Sequence, residues 1–506
     1  MANKIDSNVT GLSFAEEVVG TPKTLPGTPI WYALEPNSYS DLGGQLTTVA
    51  REPINASRQR QKGNVTDLEA SGGFNTDVTQ NNMTRILQGF MFADAHEKAD
   101  TAPINGTAIS ITSATSTTYT AASGLTIFRA GDLVLASGFS NSANNGLKLL
   151  SASASGSVTT TGNVAEASPP AAAAIQAVGF EFASGDATMT VSSGVATLGA
   201  TAKDLTQLGL NVGEWIFIGG DTSGTKFATC PVGYARVKTI SATAIVFDKV
   251  TAAFVTDNGS GKTLRIFLGK FLRNEKTANL IKTRTYNIER SLGSDGVGTQ
   301  SEYLEGAIAN QFTLNVPAAS KMNADLSFTA MDNVTRTGTQ GLKSGTRVSA
   351  LQEAAFNTSS NVYRIRMNVI DPTTLQPAAL FAYVTEATIN INNNATLAKA
   401  VGTLGAIDVN VGNFEVGGSI TAFFSTVAGV AAVRANSDVT VDMILAKSNA
   451  GIVFDLPLVA LGNGRLSVQK DQAITIPLET LAAEGSTGYT LGVTSLPYLP
   501  TAAMPA

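Results

Sequence analysis

The sequence predicts a mainly β chain of the α+β class. It holds two tandem units of one β-β-α plan, with a pair of small SH3-like β-barrels inserted in the first. Three observations carry this. The stretch from Leu46 to Phe92 reads as a strand, a basic turn, a second strand through Gly72-Gly73-Phe74, and a helix; the same order returns from Thr388 to Phe424, followed by a short helical VAGVAAVRA. Only 14% of the 506 residues are charged, against roughly 25% in ordinary soluble domains. Thr, Ser, Ala, Asn and Gly take their place, which favours strands and turns. Within the first unit lies a second repeat, in which GDLVLASGF (131–139) is echoed by GEWIFIGGD (213–221).

Taken in order, residues 1–44 form an N-terminal arm. Pro22, Pro26, Pro29 and Pro36 exclude long regular elements there, and Ile30-Trp31-Tyr32-Ala33-Leu34 is expected as a short strand capping its own core, the alternative being an arm that lies on a neighbour. Residues 45–99 are the first part of the first unit. From Val65 to Val78, Leu68, Ala70, Phe74 and Val78 share one face, and Asp67, Glu69, Asn75 and Asp77 the other. Period-two alternation sets the second group in water or against another polar surface. A helix follows with Met83, Ile86, Leu87, Phe90 and Met91 at helical spacing, a core stripe, and with Asp77 or Thr79 as its cap.

Residues 100–270 are the inserted repeats, each copy three short strands joined by Gly-rich turns, with SPPAAAA (168–174) as the linker. Residues 271–345 resume the first unit, through strands at 284–290, 311–317 and 324–330. Residues 346–506 are the second unit, with a helical turn at 351–356 and strands at 362–369, 382–391, 439–446 and 451–460. In superposing the units, Gly72-Gly73-Phe74 is laid over Gly412-Asn413-Phe414, Val49 over Ile389, and Gly63 over Gly402 with a one-residue slip.

Arithmetic excludes several chemistries. One histidine, His96, and one cysteine, Cys230, leave no Ser-His-Asp or Cys-His set, no two-histidine zinc site and no disulfide framework. No Gly-rich loop follows a strand and opens a helix, so no cofactor is expected. Glu302 and Glu305, in a Tyr-flanked loop, show no pocket that would tune them, and Asn392-Asn393-Asn394 reads as a turn. A net charge of −5 with one basic tract, Arg58 to Lys62, argues against gripping DNA. No run of 18 apolar residues appears, so no membrane span is expected, and cytoplasmic assembly is.

The ordered set SGGFNTDVTQNNMTRILQGF, RTYNIERSLG, SEYLEGAIANQFTLNVPAASKMNADLSFTA, ATININNN, VGNFEVGGSITAFF and IVFDLPLVALG resembles the tail tube proteins of long-tailed bacteriophages. The likeness covers roughly residues 30–98 and 275–495, and the insert is similar to inserts in some relatives. The resemblance implies a β-sandwich flanked by a helix in each unit. It further implies a virion protein whose rings stack into a hollow tube, with hairpins of neighbouring subunits joined in one β-barrel around the lumen. Two such folds per chain give a ring of three with pseudo-six-fold symmetry, six remaining possible. The implied partners are other copies, the tape measure protein and the tail tip and terminator proteins, with DNA passing unbound. Asp67, Glu69, Asn75, Asp77, Asp408, Asn410 and Glu415 become lumen-facing candidates. The alternative is an adhesin or decoration protein that binds a glycan or capsid through the insert, with Trp215, Phe217 and Tyr234 as a stacking platform.

Overall fold

The computed structural model describes residues 9–39, 41–54, 59, 61–96, 108–294, 298–370, 379–381 and 383–505. Arg58 and Arg60 of the basic tract lie outside the described residues. The chain is mainly β, with two α-helices among the described residues: α1 (Gln80–Met91) and α2 (Ala428–Arg434). Alternation builds the long strand Gly63–Asp77, which buries Leu68, Ala70 and Phe74 and leaves Asp67, Glu69 and Asn75 on the opposite face. α1 buries Met83, Ile86, Leu87, Phe90 and Met91. Thr79 is its N-cap, although the hydroxyl makes no capping bond.

Strand pairing shows one plan used twice. Each unit has a leading strand, Gly11–Glu16 or Val362–Val369, that pairs with the strand after the helix, Tyr286–Ser294 or Val439–Lys447. That strand turns back into a long one, Thr299–Pro317 or Ala450–Asn463. Each long strand changes layer along its length. Its first half is flanked by the strand after the helix and by a short return strand, Asp332–Arg336 or Gly492–Leu496. Its second half joins Asn323–Ala330 or Thr475–Ala483, which in turn pair with Gly63–Asp77 or Glu415–Phe423. A strand before each of these completes the set, Pro36–Ser38 or Val384–Asn392. The two layers and helices enclose one apolar core shared by both units, from Leu12 to Val493.

The ladders also correct the superposition of the units. Pro36–Ser38 skips Asn37 as it pairs with Thr76 and Asn75, and Val384–Asn392 skips Thr385 as it pairs with Ala422 and Thr421. Matching these bulges sets Asn75 on Thr421, Gly72 on Gly418 and Glu69 on Glu415. Gly412–Phe414 falls instead in a link between strands Ala406–Asn410 and Glu415–Phe423. Val49 lies in a hairpin with residues 63–71, and Ile389 lies in the sheet ladder, so they are not counterparts. Residues 351–356 form no helical turn. Ile30–Leu34 is a strand as expected, pairing with Gly11–Glu16 and, in parallel, with Thr346–Val348, and Trp31 is fully buried.

In the inserted region the two copies share strands rather than forming two separate closed barrels. One ten-stranded sheet runs across both copies, beside a small four-stranded sheet of the first copy; no barrel closes among the described residues. The region is not carried loosely on the outside either. Leu133, Val178, Trp215, Phe217, Tyr234 and Phe267 pack on Ile444, Val453, Leu496 and Leu499 of the second unit. Beside them Arg236 is ion-paired with Asp248 and Asp455, and Lys249 and Arg364 with Asp442.

Candidate functional site: a polar sheet face

The second half of Thr299–Pro317 pairs on one side with Asn323–Ala330 and on the other with Val384–Asn392. This junction makes one sheet of the two units, in the order Gly63–Asp77, Asn323–Ala330, Thr299–Pro317, Val384–Asn392, Glu415–Phe423, Thr475–Ala483, Ala450–Asn463. Registers place side chains in rows across it. One row reads Asn75, Asp325, Thr313, Asn390, Gly417, Leu481, Ala460, and the next Asp77, Asn323, Asn315, Thr388, Ser419, Glu479, Gly462. The intervening residues, among them Phe74, Leu326, Leu314, Ile389 and Leu478, are buried in the core. One face is apolar and packed, and the other is mostly amides, hydroxyls and carboxylates, with Leu481 and Phe423 exposed among them toward the far end of the second unit.

Amides brace the carboxylates. Asn75 Nδ2 donates to Asp325 Oδ1 (2.7 Å) and Asn323 Oδ1 (3.1 Å), and Asn315 Nδ2 to Asp325 Oδ2 (2.7 Å). Asn37 Nδ2 donates to Asp77 Oδ1 at 2.6 Å, and Thr421 Oγ1 to Glu386 Oε1 at 3.0 Å. Cations are few and sit at the margin: Lys321 lies 2.8 Å from Asp77, and Lys399 lies 2.5 Å from Asp67 and 3.3 Å from Glu69. The hydrogen bond from Lys399 holds the Asp67 carboxyl below its ordinary range and lifts the lysine in return. A rigid, largely neutral face with acidic spots has nothing to neutralise phosphates and little to hold them.

Five of the seven candidates fall on this face: Asp67, Glu69, Asn75 and Asp77 on one strand and Glu415 on its counterpart. Asp408 and Asn410 do not join it. Among the described residues Ala406–Asn410 leaves the ladder and pairs only with Thr396–Lys399 in a separate hairpin, because Asn392-Asn393-Asn394 turns the chain away. Asn392 Oδ1 accepts the Asn394 amide (3.0 Å), and Asn394 takes a positive φ of 49°. The duplicated stretch alone pointed to candidates, so Asn315, Asp325, Glu386, Asn390 and Glu479 were missed. Their alternation was visible in the sequence, but not that their strands lie side by side.

Ionisable groups elsewhere are structural. Glu302 is held by Arg290 and Asn333, and Glu305 by Lys343 at 2.5 Å. Cys230 is buried, which pushes its thiol up and away from nucleophilic use. Trp215, Phe217 and Tyr234 are fully buried and offer no stacking platform. Among the described residues no group of three His, Cys, Asp or Glu could hold a metal ion, and no helix is long and apolar enough to cross a membrane. A comparison with curated proteins finds no match. The family model for phage tail tube proteins, however, matches residues 7–213 and 237–484, reaching both units. On that match, over most of its length, the chain belongs to the phage tail tube protein family.

Proposed function

We propose that this protein self-assembles into stacked rings that form the tube of a long phage tail, with the polar sheet face turned to the bore. The observation that carries this is the single sheet that runs across both units, its free face polar from Gly63–Asp77 through Val384–Asn392. A tube that passes DNA needs a wall that neither sticks to phosphates nor offers open sheet edges, and closing the sheet across copies meets both needs.

The strand count favours three chains per ring. Each unit contributes four neighbouring strands to the polar sheet, if the entering strand and its hairpin count as one. With strands about 4.8 Å apart and tilted by about 40°, three chains close a wall about 48 Å across its backbones, and six chains one about 96 Å across. Side chains on the inner face take about 5 Å on each side. The smaller ring thus keeps a bore ample for duplex DNA, and the larger leaves a needlessly wide one.

In this reading the units divide as residues 1–44, 45–99 with 271–345, and 346–506, with 100–270 inserted. The tube is part of the virion of a long-tailed phage, is assembled in the host cytoplasm, and serves genome ejection. Its partners are copies of itself, the tape measure protein inside, and the tail tip and terminator proteins at the ends. The test is electron microscopy of concentrated protein with and without a tail tip complex. Rings or tubes of uniform width are expected. A protein that stays monomeric in both conditions contradicts the proposal.

A further inference from the structure

Among the contacts between the two units of one chain, three make up one joint. Residues 311–317 take residues 386–392 as an antiparallel neighbour. Asn393 Nδ2 donates to the carbonyl oxygens of Phe90 and Ala309, both at 2.9 Å. The hairpin of Thr396–Lys399 and Ala406–Asn410 then lays Ala406 and Val409 on Phe92, Ile308 and Met331 of the first unit, and Lys399 reaches Asp67 and Glu69.

The chain carries the twin of each half of this joint, and each twin is bare. The counterpart of Val384–Asn392 is Pro36–Ser38 with the start of Gly43–Ala50; among the described residues both pair only with Gly63–Asp77. The counterpart of the second unit's hairpin is formed by Gly43–Ala50 and the start of Gly63–Asp77. Its Leu46, Val49 and Val65 are 53%, 58% and 49% exposed, where Ala406 and Val409 in the twin are covered. At the other end, residues 460–463 pair with Thr475–Ala483 on one side. Among the described residues their opposite edge has no strand partner, because Val439–Lys447 stops pairing at Val459. That edge is the counterpart of residues 308–312, where the internal joint begins. Open apolar sheet edges seek a partner, and these two are halves of a contact the chain already makes once.

We infer that the open edge at residues 460–463 of one copy receives the start of Gly43–Ala50 of a second copy, head to tail, with Gly462 opposite Gln45 and the first-unit hairpin of that copy laid over the second unit. The inference rests on the tube reading for what the contact builds, and on the internal joint for where the contact lies. Two different surfaces meet, so the contact propagates until its rotation closes a ring.

Cysteine pairs read the joint. Gln311 and Asn392 face each other in the internal ladder, and their twins are Gly462 and Gln45. Gly462 leaves a new Cβ in ordinary contact, 3.5 Å from Glu479, and the native Cys230 is buried. Oxidising an assembling mixture of Gln45→Cys and Gly462→Cys chains is expected to give covalent dimers, with each variant alone giving none. The double variant is expected to link into closed rings of one size, and Gln311→Cys with Asn392→Cys to close within single chains as the control. Leu46→Asp with Val49→Asp is expected to give folded chains that no longer assemble. Tubes that form without the Gln45–Gly462 link overturn this joint and leave the tube reading standing. Links formed by either variant alone mean a two-fold contact and also overturn it. Wild-type chains that never assemble overturn both.

Discussion

Truncating Asp442 to alanine strikes the contact between the inserted region and the second unit. The carboxylate is fully enclosed and ion-paired with Lys249 and with Arg364, whose Nε lies 2.5 Å away. Burial alone would raise its pKa, but the two cations overcome this and hold the carboxyl far below the usual range. Lys249 is itself 4% exposed and keeps only weaker help, including a hydrogen bond to Thr440 Oγ1 at 3.0 Å. Removing one partner of a buried pair costs about 3–5 kcal/mol, because the charge left behind has no water to replace it. Arg364, at 10% exposure, retains some access to solvent, which points to the lower end, about 3 kcal/mol. That is a large share of a typical stability of about 5–15 kcal/mol. Urea unfolding followed by tryptophan emission is the assay, since buried Trp215 sits with its ring 6.0 Å from the Lys249 ammonium. Asp442→Leu combined with Lys249→Met and Arg364→Met is expected to restore most of the loss, since it leaves no unpaired charge. A loss below about 1 kcal/mol for Asp442→Ala, the level of a surface pair, would refute the claim that the network fastens the insert to the tube fold.

Other outcomes follow from single contacts. Gly89→Ala gains up to about 1 kcal/mol of helix propensity, but the new Cβ would lie 2.4 Å from Tyr286 Oη. Overpacking of about 1–3 kcal/mol therefore wins, and a net loss in urea unfolding is expected. Burial pushes the Asp132 carboxyl up to about 7, against the pull of the Arg129 amide and Lys203. The folded state then holds a proton that the unfolded state releases, so stability falls as pH rises from about 4 to about 7. Asp132→Asn should flatten that slope in thermal melts. Asp257 and Asp186 are shifted the other way: burial opposes it, but amides and hydroxyls that donate to them hold both carboxyls low. Their contribution is whole above about pH 4 and is lost as pH falls through the lowered values, so circular dichroism should show acid loss of the insert. Asp325→Lys with Glu386→Lys should leave tubes intact yet slow DNA delivery, more so at low salt, as read by ejection assays.

Deletion of residues 100–270 tests the contact between the insert and the second unit. It strips cover from Ile444, Val453, Leu496 and Leu499 and leaves Asp442 and Asp455 without Lys249 and Arg236. The deleted chain should be insoluble. Soluble chains that assemble would show that the contact carries no stability.

Local order was legible in the sequence because it is written in local spacing. The alternation of Gly63–Asp77, the stripe of α1, the short α2 and the doubled plan all follow from residues a few positions apart. What was not legible depends on pairing over long separations. Gly412-Asn413-Phe414 imitates Gly72-Gly73-Phe74 in letters, yet the bulges at Asn37 and Thr385 show that Gly418 is the true counterpart. Asp408 and Asn410 alternate convincingly, but a three-asparagine turn lifts their hairpin out of the sheet. The insert's two copies looked self-contained because each has its own strands and turns, and only the shared sheet and the buried ions reveal that they are fused to each other and to the second unit. Asp325 belongs to the polar face through Asn75, 250 residues away along the chain, and Asn315 joins it through Asp325.

The most direct measurement is a density map of the assembled tube by electron cryomicroscopy. The account predicts three chains per ring, Asn75, Asp325, Asn390 and Glu415 on the bore wall, and residues 460–463 of each chain beside the start of Gly43–Ala50 of the next. A tube whose wall turns this polar face outward, or whose rings meet through other edges, would contradict it.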